Sequence, residues 1–338
     1  MKPKIENKIC AVTVTYGNRW KYLEQVLRRL LSFRQTGNVV VVNNGSEYDV
    51  EEALKLLGDS RILLVNHAEN EGSAGGYYSG IAAAYEQTTN EFIWLLDDDN
   101  LPDEDAAEEL FKAWDSLKAQ PLSTALYCQR VDRTLDREFI QGKDPFKNFL
   151  IPNGILGVSY LAGIERRWEK HFSRKRENPL PKDYIKVPYV PYGGVFAHRE
   201  MIGLIGYPDR QFYLYVDDEE YTYRITQRGG TIWMVSTAKI KDIDLADGRV
   251  AYQPKKGNSP LLDLWSFRMY YRVRNSIYFH NKISTTNPIA FAANKSLFIA
   301  KLWWTSVKSG KGNEFRKVKE AIQDGIEGRL GKADSNKF

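Results

Sequence analysis

The apolar positions of this chain fall first into short runs, separated by stretches with a helical period. Ile9 to Thr15 is β-branched and apolar, the pattern of a strand. Tyr16-Gly17-Asn18-Arg19 breaks it, and from Trp20 to Phe33 apolar residues recur at Leu23, Val26, Leu27, Leu30 and Leu31, one face of a helix. Val39-Val40-Val41-Val42 predicts a second buried strand, closed by the turn formers Asn43-Asn44-Gly45-Ser46. A short helix over Val50–Leu57, a third strand over Arg61–Val65 and a helix over roughly residues 77–87 follow. Phe92-Ile93-Trp94-Leu95-Leu96 is then the fourth strand of a β-α-β-α-β-α-β series. Such alternation predicts an α/β fold with a mostly parallel central sheet, flanked by helices and joined by right-handed crossovers.

The fourth strand ends abruptly in Asp97-Asp98-Asp99, and Pro102 is placed to open a helix. Three adjacent acids are poorly tolerated in a core. At the carboxyl edge of a parallel sheet, where open α/β folds bind ligands, they suit a hard divalent cation; a solvated acidic turn is the alternative. The segment Asn70 to Gly76 carries Gly72, Gly75 and Gly76 just ahead of a helix. It reads either as a phosphate-cradling helix N-terminus or as glycines that let a helix approach a strand. It is not the dinucleotide fingerprint, because the spacing differs and it follows the third strand. An anion site and a carboxylate site about twenty residues apart suit a nucleoside diphosphate. A second signal lies at Tyr192-Gly193-Gly194-Val195-Phe196 and at the aromatic, strand-like run Phe212 to Val216, which ends in Asp217-Asp218-Glu219-Glu220. A helix over Tyr221–Gln227 is expected after it. Beside aromatic side chains a carboxylate can have its pKa tuned and act as a general base on a hydroxyl. The mixed-charge stretch Arg166 to Arg176, followed by Pro179 and Pro181, reads as a surface segment, either a lid near an acceptor or a solvated loop. His171, within it, gets no role.

Composition narrows the setting. With 338 residues, 43% of them apolar and 27% charged, the chain is globular and long enough for one large domain plus an appendage, or for two modest domains. Cys10 and Cys128 have neither a framework nor metal-ligand spacing, so a reducing compartment is expected. The N-terminus has no apolar signal core, and no run reaches the ~18–20 apolar residues of a membrane span. A cytoplasmic protein is expected, with room for a peripheral place on the inner face of the cytoplasmic membrane. The net charge of +5 conceals an asymmetry, since residues 251–338 carry 16 Lys/Arg against 6 Asp/Glu. The expected division is a catalytic domain over 1–255, with halves at about 1–125 and 126–255, and a basic, aromatic, helical region over 256–338. Within that tail, Pro288 to Ser306 is apolar and aromatic but interrupted by Lys295 and Lys301. It reads either as an interfacial membrane helix or as a helix packed on the catalytic domain or on a second copy in a homo-oligomer. No nucleic-acid recognition motif accompanies the basic charge.

In order and spacing, Val14-Thr15-Tyr16, Val42-Asn43-Asn44-Gly45-Ser46, Asn70-x-Gly72-x-x-Gly75-Gly76, Asp97-Asp98-Asp99, Gly193-Gly194 and Asp217-Asp218-x-Glu220 resemble the family 2 glycosyltransferases. These are inverting enzymes with the GT-A fold, and the likeness covers roughly residues 9–230. Tyr270-Tyr271-Arg272-Val273-Arg274-Asn275 is similar to a segment of galactofuranosyl- and rhamnosyltransferase-like members. The resemblance implies transfer of a sugar from a nucleotide diphosphate donor, UDP-galactofuranose or another UDP- or dTDP-sugar such as dTDP-rhamnose, to a hydroxyl of a lipid-linked or surface glycan. It implies that Thr15, Tyr16, Asn43, Asn70, Gly75, Gly76, Asp97 and Asp98 hold the donor. Mn²⁺ or Mg²⁺ would sit on Asp97 and Asp99. Asp218 would be the general base, supported by Asp217 and Glu220, with Gly193, Gly194 and Phe196 facing the acceptor. The sequence departs from the pattern in three places. Asn43 stands where many members have Asp, and Val195-Phe196 replaces an aromatic pair near the acceptor. A histidine metal ligand is missing, for which Asp242 or Asp244 could substitute. A sugar-nucleotide pyrophosphorylase shares the layered fold and an acidic metal site, but Thr15-Tyr16-Gly17-Asn18-Arg19 is a poor match to its basic glycine-rich loop. A non-catalytic binding subunit of a glycan-assembly complex is the reading from another class.

Overall fold

The computed structural model describes residues 8–160, 163, 182–244 and 259–338. The surface stretch Arg166 to Arg176, with Pro179 and Pro181, lies outside these residues. The described residues group into two compact units, one from 8–143, 182–210 and 218–244, the other from 144–160, 163, 211–217 and 259–338. The second unit therefore draws in two segments from before residue 255, which charge alone did not assign to the tail.

The first unit begins with β1 (Ile9–Gly17), α1 (Trp20–Ser32), β2 (Thr36–Ser46), α2 (Val50–Leu57), β3 (Ile62–His67), α3 (Gly72–Gln87) and β4 (Phe92–Asp97). Strands β3, β2, β1 and β4 lie side by side in parallel, as the alternation predicts. Continuous apolar runs are required because helices cover both faces of a parallel sheet, and Val39–Val42 and Trp94–Leu96 are wholly buried. The chain continues through β5 (Asn100–Pro102), α4 (Ala106–Ser116), β6 (Thr124–Arg130), α5 (Thr134–Ile140), then, after α6 (Pro145–Phe149) of the second unit, β7 (Tyr184–Val187), β8 (Val195–His198) and α7 (Arg199–Ile205). Helix α8 (Asp217–Gln227) and β9 (Thr231–Asp242) close the unit. The nine-stranded sheet runs β3-β2-β1-β4-β8-β6-β9-β5, with β7 on β9. The reversal at β8, antiparallel to both β4 and β6, separates a parallel half from a mixed one.

Two local expectations are corrected. Pro102 does not start a helix; it ends β5, whose antiparallel pairing sets Asn100 opposite Asp242 and Pro102 opposite Ile240. Proline is tolerated on an edge strand, and α4 begins only at Ala106. The run Phe212–Val216 is not a strand. Tyr213, Tyr215 and Val216 take positive φ, +64°, +64° and +67°, a left-handed backbone that is strained for large or β-branched side chains. The acids after it form the first turn of α8 instead of preceding the helix.

The second unit shows what holds that run. Its helices are α9 (Pro260–Asp263), α10 (Phe267–Ser284), α11 (Pro288–Ser309) and α12 (Gly312–Glu327), packed through Tyr270, Val273, Ile277, Leu302, Val318 and Ile322. The wholly buried Asn275 donates from its amide to the carbonyls of Phe212, Leu214 and Tyr215 at 2.9, 2.8 and 2.9 Å. Arg274 adds a bond to Phe212 O at 3.2 Å. Backbone carbonyls with no strand partner thus find buried donors.

Candidate active site

The carboxyl ends of β1 and β4 lie side by side, with Val14 in register with Asp97. Asp97 accepts from the hydroxyl of Tyr77 on α3 at 2.7 Å, and that ring stacks on Tyr192 at 3.9 Å between centroids. Asp97 keeps 42% of its side chain open; Asp98 is buried. Arg19, between β1 and α1, binds this edge together. Its Nε meets both oxygens of Asp98 at 2.9 and 3.0 Å, one Nη donates to Asp99 at 2.8 Å, and the other to Asp244 at 2.6 Å. A second buried guanidinium, Arg130 at the end of β6, pairs with Asp242 and lies 3.8 Å from Asp97. Asn100 completes the net, donating to Asp99 at 3.0 Å and Asp242 at 2.9 Å while its oxygen accepts from the Asp97 amide.

Gly193 is required here. A Cβ on it would meet the Asn100 oxygen at 2.0 Å, Asp97 at 2.8 Å and Arg130 at 2.9 Å. Gly194, at φ +112°, also needs the freedom of glycine, and a Cβ there would press on Ile240. Both glycines thus adjoin the β4 edge through the backbone. Phe196 does not reach a ligand: paired with Trp94 and Leu126, it is wholly buried and stacks on Phe92 at 4.7 Å. A central strand aims that side chain into the core, which corrects its assignment to the acceptor.

On the donor side, Thr15 is buried, adds a hydrogen bond to Asp98 and lies 3.5 Å from the Tyr48 hydroxyl. Tyr16 is exposed, with Arg19 5.4 Å from its ring centre. Asn43 uses its oxygen to accept from Ser46 N and its amide to meet Asn66. The adjacent Asn44 is the buried anchor, donating to Gly72 O and accepting from Glu71 N. Asn70 accepts from Gly72 N at 2.8 Å, which sets the turn into α3. Gly75 and Gly76 lie within the first turns of α3. A Cβ on Gly76 would meet Val14 at 2.6 Å and one on Gly75 would meet Glu71 at 2.5 Å, so close packing is one reason for both.

On the other side, α8 sets out its four acids around its first turn, where the helix dipole favours them. Asp218 is half-buried and accepts from Glu219 N at 2.8 Å. Thr222 ties α8 to the segment leading to Gly193, donating to Val190 O and accepting from Val190 N. Glu220 is turned away, paired with Arg224 at 2.6 Å, and Arg224 caps Ile205 O and Tyr207 O. Asp217 is buried.

The electrostatics follow from crowding. Burial pushes Asp98 up to about 7, with Arg19 pulling the other way and Asp99 adding to the rise. Asp99 is raised by burial and then by Asp97. Burial works against the charge on Arg19, but Asp98 outweighs it and holds the guanidinium above its usual range. Burial pushes Asp218 up to about 6, opposed by the Glu219 N–H and by Arg133, and raised further by Asp97. The charges of Asp97 and Arg133 therefore reach Asp218.

Five carboxylates, Asp97, Asp98, Asp99, Asp242 and Asp244, are answered here by the guanidiniums of Arg19 and Arg130. Among the described residues no three His, Cys, Asp or Glu side chains form a ready-made metal cage. The donor set nonetheless fits a hard divalent cation: oxygen ligands, an excess of negative charge, and an accessible Asp97. Asp242 and Asp244 are already paired with arginines, so neither is disposed as a simple stand-in for the missing histidine. Sequence reasoning missed Arg19, Arg130, Asn100, Tyr77 and Asn44. Of these, Arg19 and Asn44 stand inside stretches already noted, and Tyr77 and Asn100 directly follow two others.

Residues 10–172 match the family model described as glycosyl transferase family 2. No curated protein matches the chain. Among solved structures it is similar to GalNAc-T7 with UDP, GalNAc and Mn²⁺, at 15% identity and a TM-score of 0.52 over 81% of this chain and 48% of that one. It thus spans about half the length of that protein chain. It is also similar to the mannosyltransferase PcManGT from Pyrobaculum calidifontis, in complex with GDP-Man and Mn²⁺, at 14% identity and a TM-score of 0.52 over 96% of this chain and 88% of that one. S. aureus TarS 1–349 aligns at 14% identity and a TM-score of 0.50 over 94% and 92%. The fold is that of the GT-A glycosyltransferases. The chain shares with them a mixed α/β architecture, with a mostly parallel sheet flanked by helices, and carries a helical C-terminal region.

Proposed function

We propose that the chain is an inverting glycosyltransferase that moves a sugar from a nucleoside diphosphate to a hydroxyl of a lipid-linked or surface glycan. The feature that best supports this reading is the acidic edge at the end of β4, whose Asp97 charge also raises Asp218, with Gly193 letting the backbone close against Asp97 and Asn100 without a side chain. Matching folds have been captured with UDP or GDP-Man and with Mn²⁺, which supports a nucleotide-sugar donor. UDP-galactofuranose and dTDP-rhamnose rest only on the motif likeness.

Asp97 and Asp99 would hold Mn²⁺ or Mg²⁺, which when bound supplies Lewis-acid stabilisation of the departing diphosphate. The chain's own residues do the rest. Tyr77 and Asn100 fix the orientation of Asp97. Arg19 neutralises Asp98, and can release Asp99 when another cation takes its place. The α3 N-terminus, shaped by Asn44 and Asn70, would turn the positive end of its helix dipole toward the phosphates. Asp218, with its pKa near 6, is ionised at neutral pH yet basic enough to take the proton of an attacking hydroxyl. In-line attack on the face opposite the leaving group inverts the anomeric centre and needs no covalent nucleophile. A lipid-linked acceptor would be met at a membrane surface. A thermal-shift panel of UDP-, dTDP- and GDP-sugars, with and without Mn²⁺, tests the donor. A Mn²⁺-dependent rise with one nucleotide class is expected, and no rise with any would overturn the reading.

A further inference from the structure

Helix α11 has two faces of different character. Its start is set by Pro288 and by Asn287, whose side chain accepts from Ile289 N and Ala290 N, and its end by Gly310 at φ +70°. The inner face buries Phe291, Asn294, Leu302 and Ser306. Asn294 there donates to Asn153 O and Ser159 and accepts from Tyr160 N. This face fixes the helix in its own unit.

The outer face is apolar too. Ile289 is 81% exposed, and Leu297, Trp303, Trp304 and Val307 are each at least half exposed. Together they are five of the thirteen large apolar side chains left exposed among the described residues. The exposed Ala293 and Ala300 lie between them on the same side. At 100° per residue, Lys301 and Lys308 fall along one edge of this stripe, and Lys308 Nζ lies 4.8 Å from the centre of the Trp304 ring. Helix α11 contains no acid, and neither does α10, which adds the exposed Arg268, Arg272 and Lys282. No helix among the described residues is long and apolar enough to cross a membrane. An apolar stripe with two indoles and a cationic edge is unfavourable in water, but matches the headgroup layer of a bilayer, where indoles partition and lysines reach anionic phosphates.

We propose that the outer face of α11 seats this protein on an anionic lipid surface. Charge complementarity commits the face to lipid, since a second copy would bring the same lysines against themselves. The inference is independent of the transfer reading, because none of these residues belongs to the carboxylate site. The test is flotation of the full chain with vesicles of phosphatidylcholine alone or mixed with phosphatidylglycerol. The protein should float with the mixed vesicles and progressively less as salt rises. Trp303→Ser with Trp304→Ser should lower the bound fraction roughly tenfold, and Lys301→Glu with Lys308→Glu should abolish the preference for anionic lipid. Both variants should keep the wild-type circular dichroism and melting temperature. A wild-type chain that stays with neither vesicle overturns the proposal, as does binding unchanged by the tryptophan pair. A dimer in light scattering that dissociates in the tryptophan variant, without vesicle binding, assigns the face to a second copy and overturns it equally.

Discussion

Two clusters of consecutive acids look alike in the sequence and are built in opposite ways. Asp97–Asp99 end a strand, and cations brought from elsewhere in the fold tie them together: Arg19 from the start of α1 and Arg130 from β6. Asp217–Glu220 open a helix, which turns successive side chains about 100° apart. The first cluster therefore acts as one charged surface. The second is divided among separate partners, with Asp218 accepting from Glu219 N and Glu220 on Arg224. An acidic run at a strand end is shared property; at a helix start it yields individuals.

That contrast can be broken by substitution. Asp218→Asn should lose about 10²–10⁴ in transfer rate while calorimetry shows nucleotide-sugar affinity unchanged; near wild-type turnover would remove Asp218 as the base. Arg19→Ala leaves three carboxylates without their shared cation and should cost about 3–5 kcal/mol of stability in denaturant melts, part of it recovered by added Mn²⁺. Asp99→Ala should abolish the Mn²⁺ dependence of donor binding, and calorimetry with an unchanged metal effect would exclude it as a ligand. Because the base works ionised and its pKa is raised, kcat/KM should be flat above neutrality. Below about pH 6 it should fall about tenfold per unit, and Arg133→Ala should move that limb to higher pH. Glu220→Gln should alter stability by less than about 1 kcal/mol and leave the pH profile in place.

The parallel half of the sheet was readable because its strands are local apolar runs whose period and spacing survive in one dimension. Asp97–Asp99 stood out for a related reason: three acids follow directly on a buried apolar run. Arg19 was not, since its partner Asp244 lies 225 positions away and nothing local distinguishes it from a surface arginine. Pro102 misled because a helix-start signal and an edge-strand residue look the same until β9 is known to lie opposite. Phe196 misled because glycines beside a ligand site do not make their neighbours part of it. The run Phe212–Val216 has strand propensity at nearly every position, and tertiary hydrogen bonds from Asn275 override it.

That single amide has a consequence for how the chain can be cut. Three residues in a row of four hold left-handed backbone that costs about 1–3 kcal/mol apiece, and the donor that compensates them comes from beyond residue 270. A chain stopped after β9 would keep every acid discussed above and still lose the amide that holds Phe212, Leu214 and Tyr215, leaving Tyr213 to Val216 free to relax toward extended backbone. Removing the C-terminal helices would thus take away the donors that hold this turn, whether or not lipid is present.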